Sequence, residues 1–489
     1  MNKSVYLAVS LNPSESHVVM ATLNEGYLRM TEICTFQVRL VYLNNLYYWD
    51  IYDLLRQVKR AVILAVQKTG IEPNYLSIDC WSHDFGLFDE NDHLIDLPMS
   101  YQNFTDDSYM KEVFEILTDK EIYKVTGNNF NSFNSLYQLY FLKKEKPSIL
   151  ARTRKLIFLP DVINYMLTGK MKSEITYAVT TQAFNISTKE WQKDFFDKLD
   201  LDVSMMPVVE KPGQILGDVM PEILDELGLT KLEVILGASS DHSTAVTSFA
   251  EEGQNWAVIF SRSWVNMGIQ LNNPMLTSQA MRMGFTNSVG YIEKTFFQKA
   301  AYGLEVLEKC KNFWLDDTNY LTGENIYFQN PSFKYLMDMR DPALLNPGNV
   351  INAINDVFKR NSLPAPKSKE EIIQCVYESL AFICRYMLDQ IKHFAPEFIE
   401  RIYMGNDGAN NKYLCQCVAN ATGTSVYAGN THSSAMGNVI IQMLTVGDIA
   451  SMHEAHKIID SSIGYQVFEP KDHQKWDNAY FSKFLNIIK

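Results

Sequence analysis

The run Val234-Ile235-Leu236-Gly237-Ala238-Ser239-Ser240-Asp241-His242 constrains this chain more than any other. Its aliphatic residues read as a strand, and the small residues behind them let the backbone approach a neighbour closely. The turn then presents one acid, Asp241, at a strand end, where a general base is well placed. The plainer alternative is that Asp241 caps the helix that follows, a frequent role for Asp.

The rest of the sequence sets the frame for that acid. A chain of 489 residues is expected to hold two or three domains, each with its own core. Net charge is −13, spread along the chain without a Lys/Arg stripe, which argues against nucleic acid or an anionic membrane as partner. The longest apolar stretches, such as Ala61–Val66, are far too short to span a bilayer. The start, Met1 to Ser4 running into Val5–Val9, reads as a first strand rather than a secretory leader. Seven scattered cysteines suit reduced, structural thiols and a cytoplasmic location; Cys415-Gln416-Cys417 is too tight for an ordinary zinc pair.

Strands are expected at Val5–Leu11, His17–Leu23 and roughly Leu28–Tyr42, then a helix with Leu54, Leu55, Val58, Val62 and Ala65 at helical spacing. A further strand at Tyr75–Trp81 leads into Ser82-His83-Asp84. The second half repeats the theme loosely. Strands are expected at Trp256–Phe260, Val265–Leu271 and Arg401–Met404, and helices at Gln298–Asn312, Glu370–His393 and Asn411–Ala421. Asp341–Ser368, with four prolines, reads as a surface excursion. This is an α/β pattern with mixed sheets, and a duplicated unit with a cleft between its copies explains it.

Several segments together resemble the FGGY family of sugar kinases, and within it the rhamnulokinase branch. They are Ile78–Phe85, Phe133–Leu139, Leu159-Pro160-Asp161, Leu167–Met171, Thr180-Thr181-Gln182, Ala238–Asp241 and Gly437–Gln442. The resemblance implies two actin-like (ribonuclease H-like) domains, here residues 1–240 on the sugar side and 241–489 on the nucleotide side. It also implies transfer of the ATP γ-phosphoryl group, with Mg2+, to the C1 hydroxyl of a ketose such as L-rhamnulose, in a monomer or homodimer. Asp241 then matches the catalytic base, with Ser82, Ser240 and His242 among the sugar contacts and Ser14, Ser263 and Gly408 on the nucleotide side.

The chain departs from the family on the phosphate side. Ser10 stands where an Asp is expected to support the metal, Asn12 replaces a Gly, and Pro13 has no N–H to donate. Arg262 fills a second Gly position and offers an anion-binding guanidinium instead. The adenine-side glycine turn reads Asn406-Asp407-Gly408, and a sugar-side Tyr-Arg-Asp reads Tyr101-Gln102-Asn103. These changes raise a second reading, a pseudokinase that binds a sugar and acts as sensor or scaffold. Trp81 and Trp264 are candidates to stack on a sugar ring, against the commoner role of packing. His83 and Asp84, as strand neighbours, are expected to face opposite ways.

Overall fold

The computed structural model describes residues 4–13, 15–249, 255–261, 264–315, 318, 320, 331–345 and 347–488. The chain divides into two units: Met1–Ala250 with Leu271–Phe297 and Ser434–Ser462, and Glu251–Gln270 with Gln298–Ser433 and Ile463–Lys489.

The first unit is built on strands β1 (Val5–Ser10), β2 (Ser16–Asn24), β3 (Tyr27–Phe36), β4 (Tyr75–Asp79), β5 (Gln214–Asp218) and β6 (Glu233–Leu236). They lie in the order β3-β2-β1-β4-β6-β5. The first three form an antiparallel meander, β4 runs parallel to both β1 and β6, and β5 closes the edge antiparallel to β6. Every residue of β1 is buried, as suits a strand inside a sheet covered on both sides. The helix Ile51–Thr69 covers one face with Ile51, Leu54, Val58, Ala61, Val62 and Ala65, which join Leu7, Val9, Leu76, Ile78, Val234 and Leu236 in one core. The Asp50 carboxylate accepts from the Asp53 N–H and so starts that helix.

A second sheet carries β7 (Trp256–Ser261), β8 (Trp264–Leu271), β9 (Thr286–Val289), β10 (Thr295–Tyr302), β11 (Arg401–Gly405), β12 (Ser425–Ala428) and β13 (Gln466–Phe468). Its order is β9-β10-β8-β7-β11-β12-β13. From β10 onward it repeats the first sheet: a hairpin partner, a first strand, two parallel strands and an antiparallel edge. The duplication expected from the sequence is therefore present in the strand order. The long helix Lys369–Ile391 begins with a reciprocal capping pair, Ser368 and Glu371.

Three local expectations need correction. The strand expected to continue to Tyr42 stops at Phe36, and Leu40–Leu43 pairs instead with Leu46–Trp49 as a separate hairpin turned by Asn44 and Asn45 at positive φ. Gln298–Tyr302 belongs to strand β10 and the helix starts only at Glu305, because the chain runs on beside the neighbouring strand β8 before it turns. The excursion at 341–368 contains the amphipathic helix Val350–Arg360, which buries Val350, Ala353, Ile354, Val357 and Phe358. All seven cysteines are free, and Cys34 alone among them is not fully buried.

Candidate functional site

Strands β4 and β6 run parallel and deliver their C-terminal ends to one place. Just beyond them the Cys80 N–H donates to the Ser239 carbonyl at 2.9 Å, and the Asp241 N–H donates to the Cys80 carbonyl at 3.1 Å. The hydroxyls of Ser82 and Ser240 lie 3.4 Å apart. Ser82, Ser240, Asp241 and His242 are thus brought together within the first unit.

Asp241 opens the helix Asp241–Thr247, yet it is not the cap: Ser240 holds that position and makes no side-chain cap bond. The Asp241 carboxylate instead takes the His242 N–H at 2.8 Å and faces the His242 Nδ1 at 2.8 Å. Its side chain is 24% exposed and that of His242 is 30% exposed, so solvent and solutes reach both. Behind this helix, Gly437 of the helix Ser433–Val446 lies against the Thr244 carbonyl. A Cβ there would sit 1.8 Å from that oxygen, so only glycine permits the packing.

The turn that carries Ser82 is fastened by a residue whose role the sequence did not disclose. Asp84 is fully buried. Its carboxylate accepts from the indole N–H groups of Trp49 (2.6 Å) and Trp81 (2.9 Å), from Gln138 (3.2 Å) and from the Tyr101 backbone N–H. Burial outweighs these donors and pushes the acid up to about 6. Trp81 is therefore a wall of the core, tilted against Trp49 at 4.6 Å, rather than an open stacking surface. His83 and Asp84 lie in a turn, not a strand, with His83 at φ 84. The half-buried His83 ring is pushed down to about 4, chiefly by loss of water around it, and stays neutral near neutral pH. Asn103 is committed to the hairpin: its carbonyl takes the Tyr47 N–H at 2.7 Å and its amide donates to the Tyr47 carbonyl at 2.7 Å.

Of the residues expected on the phosphate side, Ser10 is buried and its hydroxyl donates to Asp79 Oδ2 at 2.9 Å; Asn438 donates to the same oxygen at 2.9 Å. A neutral, committed hydroxyl does not fit the metal-supporting role expected at position 10. Ser14, Arg262 and Ser263 lie outside the described residues. Gly408 follows β11 in the second unit, and a Cβ on it would lie 2.6 Å from that of Ser261, so the turn needs glycine to close on the end of β7. Trp264, at the start of β8, packs on Tyr302 at 4.6 Å.

The chain matches the N-terminal domain of the FGGY family of carbohydrate kinases over residues 42–248 and the C-terminal domain over residues 270–446. It belongs to that family. A rhamnulokinase from Oceanobacillus iheyensis is 33% identical over 456 residues, covering 93% of this chain and 96% of the relative. One from Bacteroides thetaiotaomicron is 30% identical over 487 residues, covering 100% of both chains. Among solved structures, gluconate kinase from Lactobacillus acidophilus superposes with a TM-score of 0.79 at 14% identity, covering 98% of this chain and 96% of that one. Glycerol kinase from Plasmodium falciparum, solved with ADP, gives 0.76 at 14% identity over 100% and 99%. These likenesses carry the two-domain, actin-like fold of the family's kinases. Among the described residues no helix is long and apolar enough to cross a membrane.

Proposed function

We propose that the chain is a ketose kinase of the rhamnulokinase type. Asp241 accepts the proton of a sugar hydroxyl, the C1 hydroxyl of L-rhamnulose or a close relative, as that oxygen attacks the γ-phosphorus of ATP. The bond from phosphorus to the bridging oxygen breaks and ADP leaves. Ser82, Ser240 and His242 contact the sugar, which the first unit carries together with Asp241. Ser14, Ser263 and Gly408 are the contacts assigned to the nucleotide. Mg2+ is the family's usual companion of ATP, and Ser10 supplies no carboxylate to hold it.

The observation that carries this reading is Asp241 itself. It is a reachable carboxylate, released from capping and grouped with Ser82, Ser240 and His242, in a chain related end to end to rhamnulokinases. Asp241→Asn should lower the rate of ADP formation from MgATP and L-rhamnulose by on the order of 10²- to 10⁴-fold. The thermal shift produced by the sugar should persist. Unchanged turnover would sink Asp241 as the base.

A second reading is a sugar-binding protein that has lost phosphoryl transfer. It is favoured by one observation, the engagement of the Ser10 hydroxyl with Asp79 at the place where the family carries an acid. Thermal shifts with L-rhamnulose or L-fuculose but none with MgATP would support it.

A further inference from the structure

We propose that Glu174 positions Asp241, directly through its carboxylate and indirectly through the hydroxyl of Thr176; the inference rests on Asp241 being the base. The argument begins with the backbone. Strand β6 ends at Leu236, and beyond it Ser240 makes a single bridge to Cys80, while Ser239 and Ser240 remain about 1% exposed. Their N–H groups must find acceptors away from water. The Ser239 N–H donates to Glu174 Oε1 at 3.0 Å, and the Ser240 N–H donates to Thr176 Oγ1 at 3.2 Å.

The direction of the second bond is fixed. The Thr176 hydroxyl spends its one proton on Glu174 Oε1, at 2.6 Å, and is left as an acceptor for Ser240. Glu174 also takes the N–H groups of Thr176 at 2.7 Å and Tyr177 at 3.1 Å. Glu174 and Thr176 are both fully buried. Three N–H groups and one O–H converging on a single carboxylate define its position tightly. Burial raises both Glu174 and the fully buried Asp161, Asp161 well above the ordinary carboxylate range, and the donors from Thr176, Ser239 and Tyr177 work against that rise at Glu174.

The two residues that precede Asp241 are therefore gripped from one side by Glu174 and Thr176. From the other side Cys80 donates to the Ser239 carbonyl and accepts from the Asp241 N–H. Glu174 and Thr176 hold the N–H groups of Ser239 and Ser240, the two residues that lead into Asp241. Their effect on chemistry passes through the backbone, and a base displaced by about 1 Å costs roughly a hundredfold in rate.

The test uses Thr176→Val, which keeps shape and removes the relay, beside Thr176→Ser, which keeps the hydroxyl, and Glu174→Gln. Expected are a fall in kcat of about tenfold or more in Thr176→Val with the sugar KM within about threefold. Thr176→Ser should restore kcat to within about twofold of the natural protein. Amide hydrogen exchange at Ser239 and Ser240 should accelerate about tenfold or more in Thr176→Val and Glu174→Gln, with exchange in β1 unchanged. Unaltered exchange at Ser239 and Ser240, or a Thr176→Val enzyme with undiminished kcat, would overturn the inference. The exchange measurement needs no turnover. A natural protein that makes no ADP, or an Asp241→Asn variant with full activity, tells against the phosphoryl-transfer reading alone, and exchange then decides the role of Glu174.

Discussion

In both sheets the strand parallel to the first one runs into a turn through a left-handed residue that is not glycine. After β4 it is His83, at φ 84; after β11 it is Asn406, at φ 57 and ψ −153. The two turns share a topological position and differ in how they are secured. The first is backed by Asp84, which gathers donors from four separate segments. In the second, the Asn406 N–H reaches the Asn430 carbonyl and the Ser433 hydroxyl at 3.2 Å each, while its buried Oδ1 has no hydrogen-bond donor among the described residues. A left-handed backbone that costs about 1–3 kcal/mol is thus offset by a dense network in one unit and carried with little compensation in the other. The difference teaches that the first turn is rigid by construction, whereas the second holds its strain in a residue that is not glycine.

Breaking the network should give the largest effect. Asp84→Ala leaves two indole N–H groups, an amide and a backbone N–H without their acceptor, at about 1–3 kcal/mol for each that water cannot reach. A loss of about 3–5 kcal/mol in urea unfolding is expected, and a loss below about 1 kcal/mol would show that the network is redundant. The acid-base behaviour of the same residue sharpens the contrast. Its folded-state value of about 6 lies above that of an unfolded Asp, so its contribution is complete below about pH 4 and is lost as pH rises towards 6. The stability difference between the natural protein and Asp84→Asn should therefore shift by about 2–3 kcal/mol in favour of the variant between pH 4 and pH 7, and then level off. A pH-independent difference would mean that Asp84 titrates as an ordinary carboxylate. The smallest effect belongs to the other turn. Asn406→Gly relieves the left-handed backbone and removes the unserved Oδ1, and should stabilise by about 1 kcal/mol despite glycine's greater chain entropy. A destabilised variant would show that the Asn406 side chain holds the turn.

Much of the fold was legible because buried parallel strands and amphipathic helices write their period into the sequence. β1, β4, β6, the helix Ile51–Thr69 and the placing of Asp241 at a strand end all follow from such patterns. What stayed hidden depends on partners far apart in sequence. Glu174 and Ser239 are 65 residues apart, Asp84 and Gln138 are 54 apart, and nothing local marks either acid as an acceptor for those donors. The division of 298–314 into strand and helix was missed for a related reason. Alanine and tyrosine tolerate both states, and the neighbouring strand β8 decides the matter.

The convergence of Trp49 and Trp81 on one carboxylate has an optical consequence. Two indoles, 4.6 Å apart, share a single neighbour whose charge appears near pH 6, and that neighbour is two residues from Ser82. Their emission should change as Asp84 ionises, and a pH-independent spectrum would show that the pair does not sense it. Subtracting the spectrum of Asp84→Asn isolates this pair from the other five tryptophans among the chain's seven, and gives the Ser82 turn a label that nature has already attached.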